Sequence, residues 1–73
     1  MRLRQIGSNM TELQINGNYI LFSYETPVAG WDDKGAFKTD VSYSKTTSRH
    51  INKYLEKGVG RIVTQEYINS LTK

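Results

Sequence analysis

Four cations recur at intervals of four residues in the second half of the chain. They are Lys45, Arg49, Lys53 and Lys57, and Arg61 continues the spacing. Successive residues of an α-helix turn by about 100°, so such a row spreads over one side of a helix. It could contact the phosphates of a nucleic acid or an acidic protein surface, with salt-sensitive affinity and no sequence specificity. A solvated helix face has the same pattern, so both interpretations stay open.

Two aromatic residues in the first half are candidates for contact with a protein partner. Trp31 closes the segment Val28-Ala29-Gly30-Trp31, which we interpret as a loop, and Tyr19 lies on the outer face of a predicted strand. A Trp in such a loop either packs into the core or anchors a partner, because Trp and Tyr dominate interface hot spots. Self-association through this outer face is one form that such contact could take.

The residues that catalysis and metal binding require are sparse. The chain has no cysteine and one histidine, His50. The hydroxyl groups near His50 suit helix capping better than nucleophilic chemistry. Asp32 and Asp33 lack companions at metal-ligand spacing, and no glycine-rich phosphate loop is present. We therefore expect no enzymatic activity, no metal and no cofactor.

Length and composition narrow the class of protein. The chain has 73 residues and a net charge of +3, and its sequence pI is about 9.3. We expect one small domain, residues 1–73, in a reducing cytoplasm, because disulfides are absent and no apolar run approaches the about 18 residues of a membrane helix. No membrane partner is expected. The charge is uneven, with −2 over residues 1–33 and +5 from residue 34 onward.

The first half has the patterning of strands. Residues 11–15 and 19–24 flank Asn16-Gly17, which predicts a hairpin with a type I′ turn. Alternation places a core face on one side of this hairpin. Its members are Leu13, Ile15, Ile20, Phe22 and Tyr24. Residues 1–6 are a weak candidate for an edge strand. We expect Thr26-Pro27 to end the second strand, residues 28–35 to form a loop, and residues 36–43 to form a third strand antiparallel to the second.

The second half has the patterning of helices. Ser44, Thr46 or Thr47 is the expected N-cap of a helix over residues 46–57, with Gly58 as the residue that ends it. Residues 59–63 form a connector that could pair briefly as a strand, and Thr64 caps a second short helix. The predicted fold is α+β: a three- or four-stranded antiparallel sheet followed by two short helices packed on one face.

Three segments resemble a family of short uncharacterised bacteriophage proteins, found especially in phages of marine hosts. They are GSNMTEL at residues 7–13, LFSYETPVA at residues 21–29 and TTSRHINKYL at residues 46–55. The resemblance implies a virus-encoded accessory protein of the host cytoplasm. The family has no assigned activity, so it carries no site residue over to this chain.

The sequence favours a non-enzymatic module that binds a host or phage protein and forms a homo-oligomer. The alternative is a weak, sequence-tolerant nucleic-acid-binding protein that uses the basic row. The candidate contact residues are Lys45, Arg49, Lys53, Lys57, Arg61, Trp31 and Tyr19.

Overall fold

The computed structural model describes residues 2–55 and 59–72, and these form one sheet and two helices. In chain order the elements are β1 (Arg2–Gly7), β2 (Met10–Ile15), β3 (Asn18–Ser23), β4 (Thr26–Asp32), β5 (Gly35–Thr39), α1 (Lys45–Tyr54), β6 (Arg61–Val63) and α2 (Gln65–Leu71). The six strands lie side by side in sequence order. All neighbours are antiparallel except β5 and β6. The predicted α+β class is confirmed, but the sheet is larger than the predicted three or four strands.

The hairpin between β2 and β3 forms as predicted. Asn16 and Gly17 have φ angles of 52° and 80°, the left-handed conformation that both central residues of a type I′ turn require. Leu13 pairs with Ile20 and Ile15 with Asn18. This local turn therefore fixes the register of the two strands.

The strand β4 replaces the predicted loop, and this prediction was wrong. Val28 is an extra residue at a bulge, because Leu21 pairs with Ala29 while Phe22 pairs with Pro27. Pro27 lies beside this bulge, before the β4–β5 ladder begins at Ala29, and a bulge tolerates a residue without a backbone donor. As a consequence β5 is antiparallel to β4 and is not a neighbour of β3.

Both faces of the sheet are buried, each beneath a different helix. Ile20 and Leu21 are consecutive in β3, so their side chains point to opposite faces, and both are fully buried. Leu21 belongs to a cluster with Leu55, against which Ile51 of α1 packs. Ile20 belongs to a second cluster with Ile68 of α2. The prediction that both helices pack on one face is therefore wrong.

We call the face under α1 the α1 face and the other the α2 face. Leu13 and Ile20 are core residues of the α2 face, with Ile15 and Phe22 packed against them. Tyr24, predicted to join them, lies in the turn after β3 and is exposed. Its φ of 59° takes it out of the strand alternation.

The helix starts follow the predicted capping chemistry. The Ser44 hydroxyl accepts a hydrogen bond from the Thr47 N–H, and the Thr64 hydroxyl accepts one from the Tyr67 N–H. The first helix was predicted over residues 46–57, whereas α1 ends at Tyr54; the predicted terminator Gly58 lies outside the described residues. Within the described ranges, neither helix is long and apolar enough to cross a membrane.

Candidate functional site

The basic row of the sequence lies on the outer surface of α1. Lys45, Arg49 and Lys53 are all exposed. A rise of 1.5 Å per residue separates successive members by about 6 Å along the helix axis. No acidic residue occurs within α1. Lys57, the fourth predicted member, lies outside the described residues.

Arg61, the predicted extension of the row, lies elsewhere. It belongs to β6, where its register partner is Phe37 of the α2 face. Its guanidinium donates to the Asp32 carboxylate at 2.5 Å and lies 5.7 Å from the centre of the Phe37 ring. Arg61 therefore neutralises a carboxylate on the α2 face and does not join the cations of α1.

The Asp32 carboxylate is held in its charged form. Its side chain is only 2% exposed, and it accepts hydrogen bonds from Arg61 and from the Tyr67 hydroxyl. Burial alone would raise the pKa of Asp32, but these bonds and one from the Lys34 N–H lower it to about 2. The hydrogen bond to Asp32 in turn raises the pKa of Tyr67. The cluster ties β4, β6 and α2 together.

The sheet adds three further cations to the face that α1 covers. Register partners share a face, and the pairings link Arg2 and Arg4 of β1, through each strand in turn, to Lys38 of β5. The strand residues of the α1 face named by these pairings are Arg2, Arg4, Glu12, Gln14, Tyr19, Leu21, Ala29, Trp31, Ala36, Lys38 and Ile62. These three cations were not predicted from the sequence, although the alternation Arg2-Leu3-Arg4 already places two of them on a common face.

One carboxylate lies among these cations, and it is engaged. Glu12 is buried, accepts a hydrogen bond from the Tyr54 hydroxyl at 2.6 Å, and lies 3.6 Å from the Arg4 guanidinium. Burial and then the bond to Glu12 raise the pKa of Tyr54. Glu12 thus fastens α1 to β2 and offers little negative charge to the surface.

The α1 face is therefore strongly basic. On the described strands and α1 it carries six cations, namely Arg2, Arg4, Lys38, Lys45, Arg49 and Lys53, against Glu12. Asp40, one residue beyond β5, lines a cleft with Lys38 at the border of this face. The described part of the α2 face has the opposite balance, with Asp32 and Glu66 against Arg61.

The two predicted aromatic contact residues lie side by side. Trp31 belongs to β4, not to a loop, and it is the register partner of Tyr19 on β3. Each is 43% exposed. The interpretation of Trp31 as a core residue was therefore wrong. The structure brings Tyr19 and Trp31 together on the same face as the cations of α1.

His50 makes the second polar attachment of α1 to the sheet. Its Nδ1 lies 2.7 Å from the Ser23 hydroxyl, and the same hydroxyl is 3.1 Å from that of Thr47. Ser23 is 2% exposed. The buried Ser23 hydroxyl therefore joins β3 to α1 and is not accessible to a substrate.

The chain belongs to DUF8033, a family of unknown function whose model matches residues 1–70. No curated protein and no solved structure matches it.

Proposed function

We propose that this protein is a non-enzymatic, sequence-tolerant nucleic-acid-binding module that uses its α1 face. The observation that carries the proposal is the segregation of charge: the described strands and helix of the α1 face carry six cations and one carboxylate, which is engaged. Phosphates are the natural counterpart of such a face, and the contacts would release counterions without selecting a base sequence. The sequence favoured a protein partner, with a nucleic acid as the alternative. The charges of the α1 face favour the nucleic acid.

The charges on the α1 face favour a nucleic acid over a protein partner. The centre of a protein interface is depleted of charged residues, whereas Lys45, Arg49 and Lys53 run along the exposed side of α1, which covers this face. A surface on which lysines and arginines outnumber carboxylates, as they do among the described residues of the α1 face, suits a polyanion better than the mixed charges of a typical protein surface. The resemblance to phage proteins supports a place for this binding in the cytoplasm of an infected host cell.

The test is a binding titration with fluorescently labelled DNA and RNA at about 50 mM and about 200 mM salt. We expect the logarithm of affinity to fall with the logarithm of salt concentration with a slope of about −3 to −5, as for four to six phosphate contacts. Neutralising Lys45, Arg49 and Lys53 together with glutamine should reduce that slope by about 2 to 3.

A control variant separates this surface from net charge. Arg49→Gln and Ser70→Glu each lower the net charge by one, but Ser70 lies on α2. Only Arg49→Gln should weaken binding. Equal loss in the two variants, or affinity that is indifferent to salt, would contradict the proposal.

A second proposal, self-association, rests on an apolar cleft of the α2 face, opposite the face of Tyr19 through which the sequence suggested it. Leu3 is 64% exposed and lines a cleft of about 280 Å³ with Phe22 and Tyr24. We propose a second copy of the chain as its occupant, since burial of exposed apolar groups favours association. Light scattering should give a dimer mass that Leu3→Lys reduces to the monomer mass. A monomer at all concentrations would contradict it.

The host or phage protein partner expected from the sequence remains a prediction. A pull-down from host lysate with the tagged protein, repeated after nuclease treatment, tests it. Specific retention that survives nuclease supports a protein partner. Retention that nuclease abolishes supports the nucleic-acid proposal.

A further inference from the structure

An aromatic and basic row crosses the α1 face just beyond the part that α1 covers. Arg2 pairs with Gln14, Gln14 with Tyr19, and Tyr19 with Trp31. Adjacent strands are about 4.8 Å apart, so the four side chains stand in sequence across four strands. Tyr19 and Trp31 are therefore immediate neighbours on one surface.

The hydrogen bonds and apolar contacts that hold α1 lie on the next two rows of this face, those of Glu12 and Ser23. Tyr54 reaches Glu12, and His50 reaches Ser23. Glu12 and Gln14 are two residues apart in β2, which is about 7 Å along a strand. The row of Tyr19 and Trp31 thus lies one step beyond the Glu12 contact, and both rings remain 43% exposed.

We infer that the ligand of the α1 face is single-stranded nucleic acid, with unpaired bases stacked on Trp31 and Tyr19. This inference rests on the proposed function and names the form of its ligand. Every base has a flat π face, so stacking on aromatic side chains is tolerant of sequence. In a duplex the base faces are covered by neighbouring bases, and only a single strand can offer them to the two rings.

The positions of Arg2 and Arg4 suit a single-stranded nucleic acid. Arg2 continues the aromatic row, and Arg4 lies one row away beside Glu12. A strand whose bases lie on the two rings would lie on the same face as these arginines and the cations of α1. A groove of positive charge with aromatic platforms is the usual arrangement for single strands. An acidic protein would use the same cations but would have no bases to stack.

The test exploits the fact that Trp31 is the single tryptophan of the chain. A thymidine or uridine oligonucleotide of about 16 nucleotides should quench its fluorescence on binding, whereas a duplex with the same number of phosphates should bind at least about tenfold more weakly and quench less. Comparison of the thymidine and uridine oligonucleotides distinguishes DNA from RNA as the preferred strand.

Variants are compared by anisotropy of labelled oligonucleotides. Trp31→Ala should weaken single-strand binding about 5- to 100-fold and leave the salt slope unchanged, whereas Trp31→Phe should retain most of the affinity. Tyr43→Ala removes an equally exposed aromatic residue that contacts α2 instead, and it should have no effect. Melting curves confirm that each variant is folded.

The outcomes separate this inference from the proposed function. Equal affinity for single strand and duplex, with Trp31→Ala neutral, would overturn the stacking inference and leave salt-dependent binding by the cations intact. Absence of binding to any nucleic acid at about 50 mM salt would overturn both. Binding of polyglutamate but not of oligonucleotides would likewise overturn both and assign the face to an acidic protein.

Discussion

Both faces of the sheet bury a cluster of apolar side chains, but the charged residues of the two faces differ in what they contact. On the α2 face, Arg61 is bound to a carboxylate that is itself almost wholly buried. On the described strands and helix of the α1 face there are six cations and one carboxylate, Glu12, which contacts Arg4 and accepts a hydrogen bond from Tyr54. Charge on the α2 face therefore holds elements together, whereas charge on the α1 face is directed outward.

We expect the charged residues of the α2 face to affect stability and those of the α1 face to affect binding. Like charges on one surface repel each other and oppose the compact state. A domain of 73 residues has only about 4–11 kcal/mol of stability in total. Repulsion among exposed cations takes away part of this small total. Substitutions on the α2 face should change stability, and substitutions among the cations of the α1 face should change affinity.

The largest effect is expected at Gly30, the point of closest approach beneath the α2 face. A Cβ at this position would overlap the Tyr19 carbonyl oxygen and lie 2.8 Å from Phe37 Cζ. Gly30→Ala should therefore cost about 3 kcal/mol or more and move the midpoint of a urea titration to a much lower concentration. Gly7→Ala, which would meet only the flexible Met10 side chain at 3.1 Å, is the control. Equal stability of the two variants would contradict this packing.

The next largest effect compares two isoleucines on opposite faces. Ile68 of α2 is fully buried, whereas Ile62 of β6 is 61% exposed on the α1 face. Ile68→Ala should lower the free energy of unfolding by about 2–4 kcal/mol, since it removes buried methyl groups and leaves a cavity. Ile62→Ala should change it by less than about 1 kcal/mol. A reversed order in chemical denaturation would show that α2 does not cover this core.

A smaller, pH-dependent effect is expected at Asp32. Its pKa is lowered from 3.8 to about 2, so the folded state binds its proton less readily than the unfolded state. The stability that this carboxylate contributes is present above pH 3.8 and is lost as the pH falls toward 2. Asp32→Asn should cost about 1–3 kcal/mol at neutral pH, as for hydrogen bonds to a charged group.

The measurement for Asp32 is a series of urea titrations between neutral pH and pH 2. The difference between the wild type and Asp32→Asn should shrink over the acidic part of this range. Asp33→Asn, in the exposed turn after β4, provides the matched control. A difference that stays constant with pH would contradict the ion pair with Arg61.

The smallest effect on stability is expected on α1. The triple variant Lys45→Gln, Arg49→Gln, Lys53→Gln should change the free energy of unfolding by no more than about 0.5 kcal/mol, because all three side chains are exposed. Thermal melting at low salt measures this. A large loss of stability would mean that the cations hold the fold together, and the contrast between the faces would fail.

Local signals predicted most of the elements correctly. Asn16-Gly17 specifies its hairpin through two residues that tolerate positive φ, and the hydroxyls of Ser44 and Thr64 cap the helices. The strand β4 was missed because Pro27 normally ends a strand, and its tolerance here depends on a bulge that only the pairing with β3 reveals. The continuous apolar run of Ile20, Leu21 and Phe22 is typical of a strand buried on both faces, but the alternation of the hairpin was interpreted as giving a core on one face only.

The candidate site could be predicted only in part. The spacing of Lys45, Arg49 and Lys53 identified the helix surface, but spacing could not reveal that Arg2 and Arg4 share the same side of the sheet. That placement depends on the register between β1 and β2, which shifts at an irregularity between Gln5 and Gly7. The pairing of Tyr19 with Trp31 could not be predicted either, because it depends on β4, which the sequence indicated as a loop.

The parallel pairing of β5 with β6 determines where the basic α1 face is assembled. Parallel neighbours cannot be joined by a tight turn, so the chain between β5 and β6 must pass over the sheet, and α1 is the segment that makes this passage. The crossing carries cations from the middle of the sequence over to arginines from its beginning. The basic α1 face is thus a product of chain topology, complete only when β6, the last and shortest of the described strands, has docked.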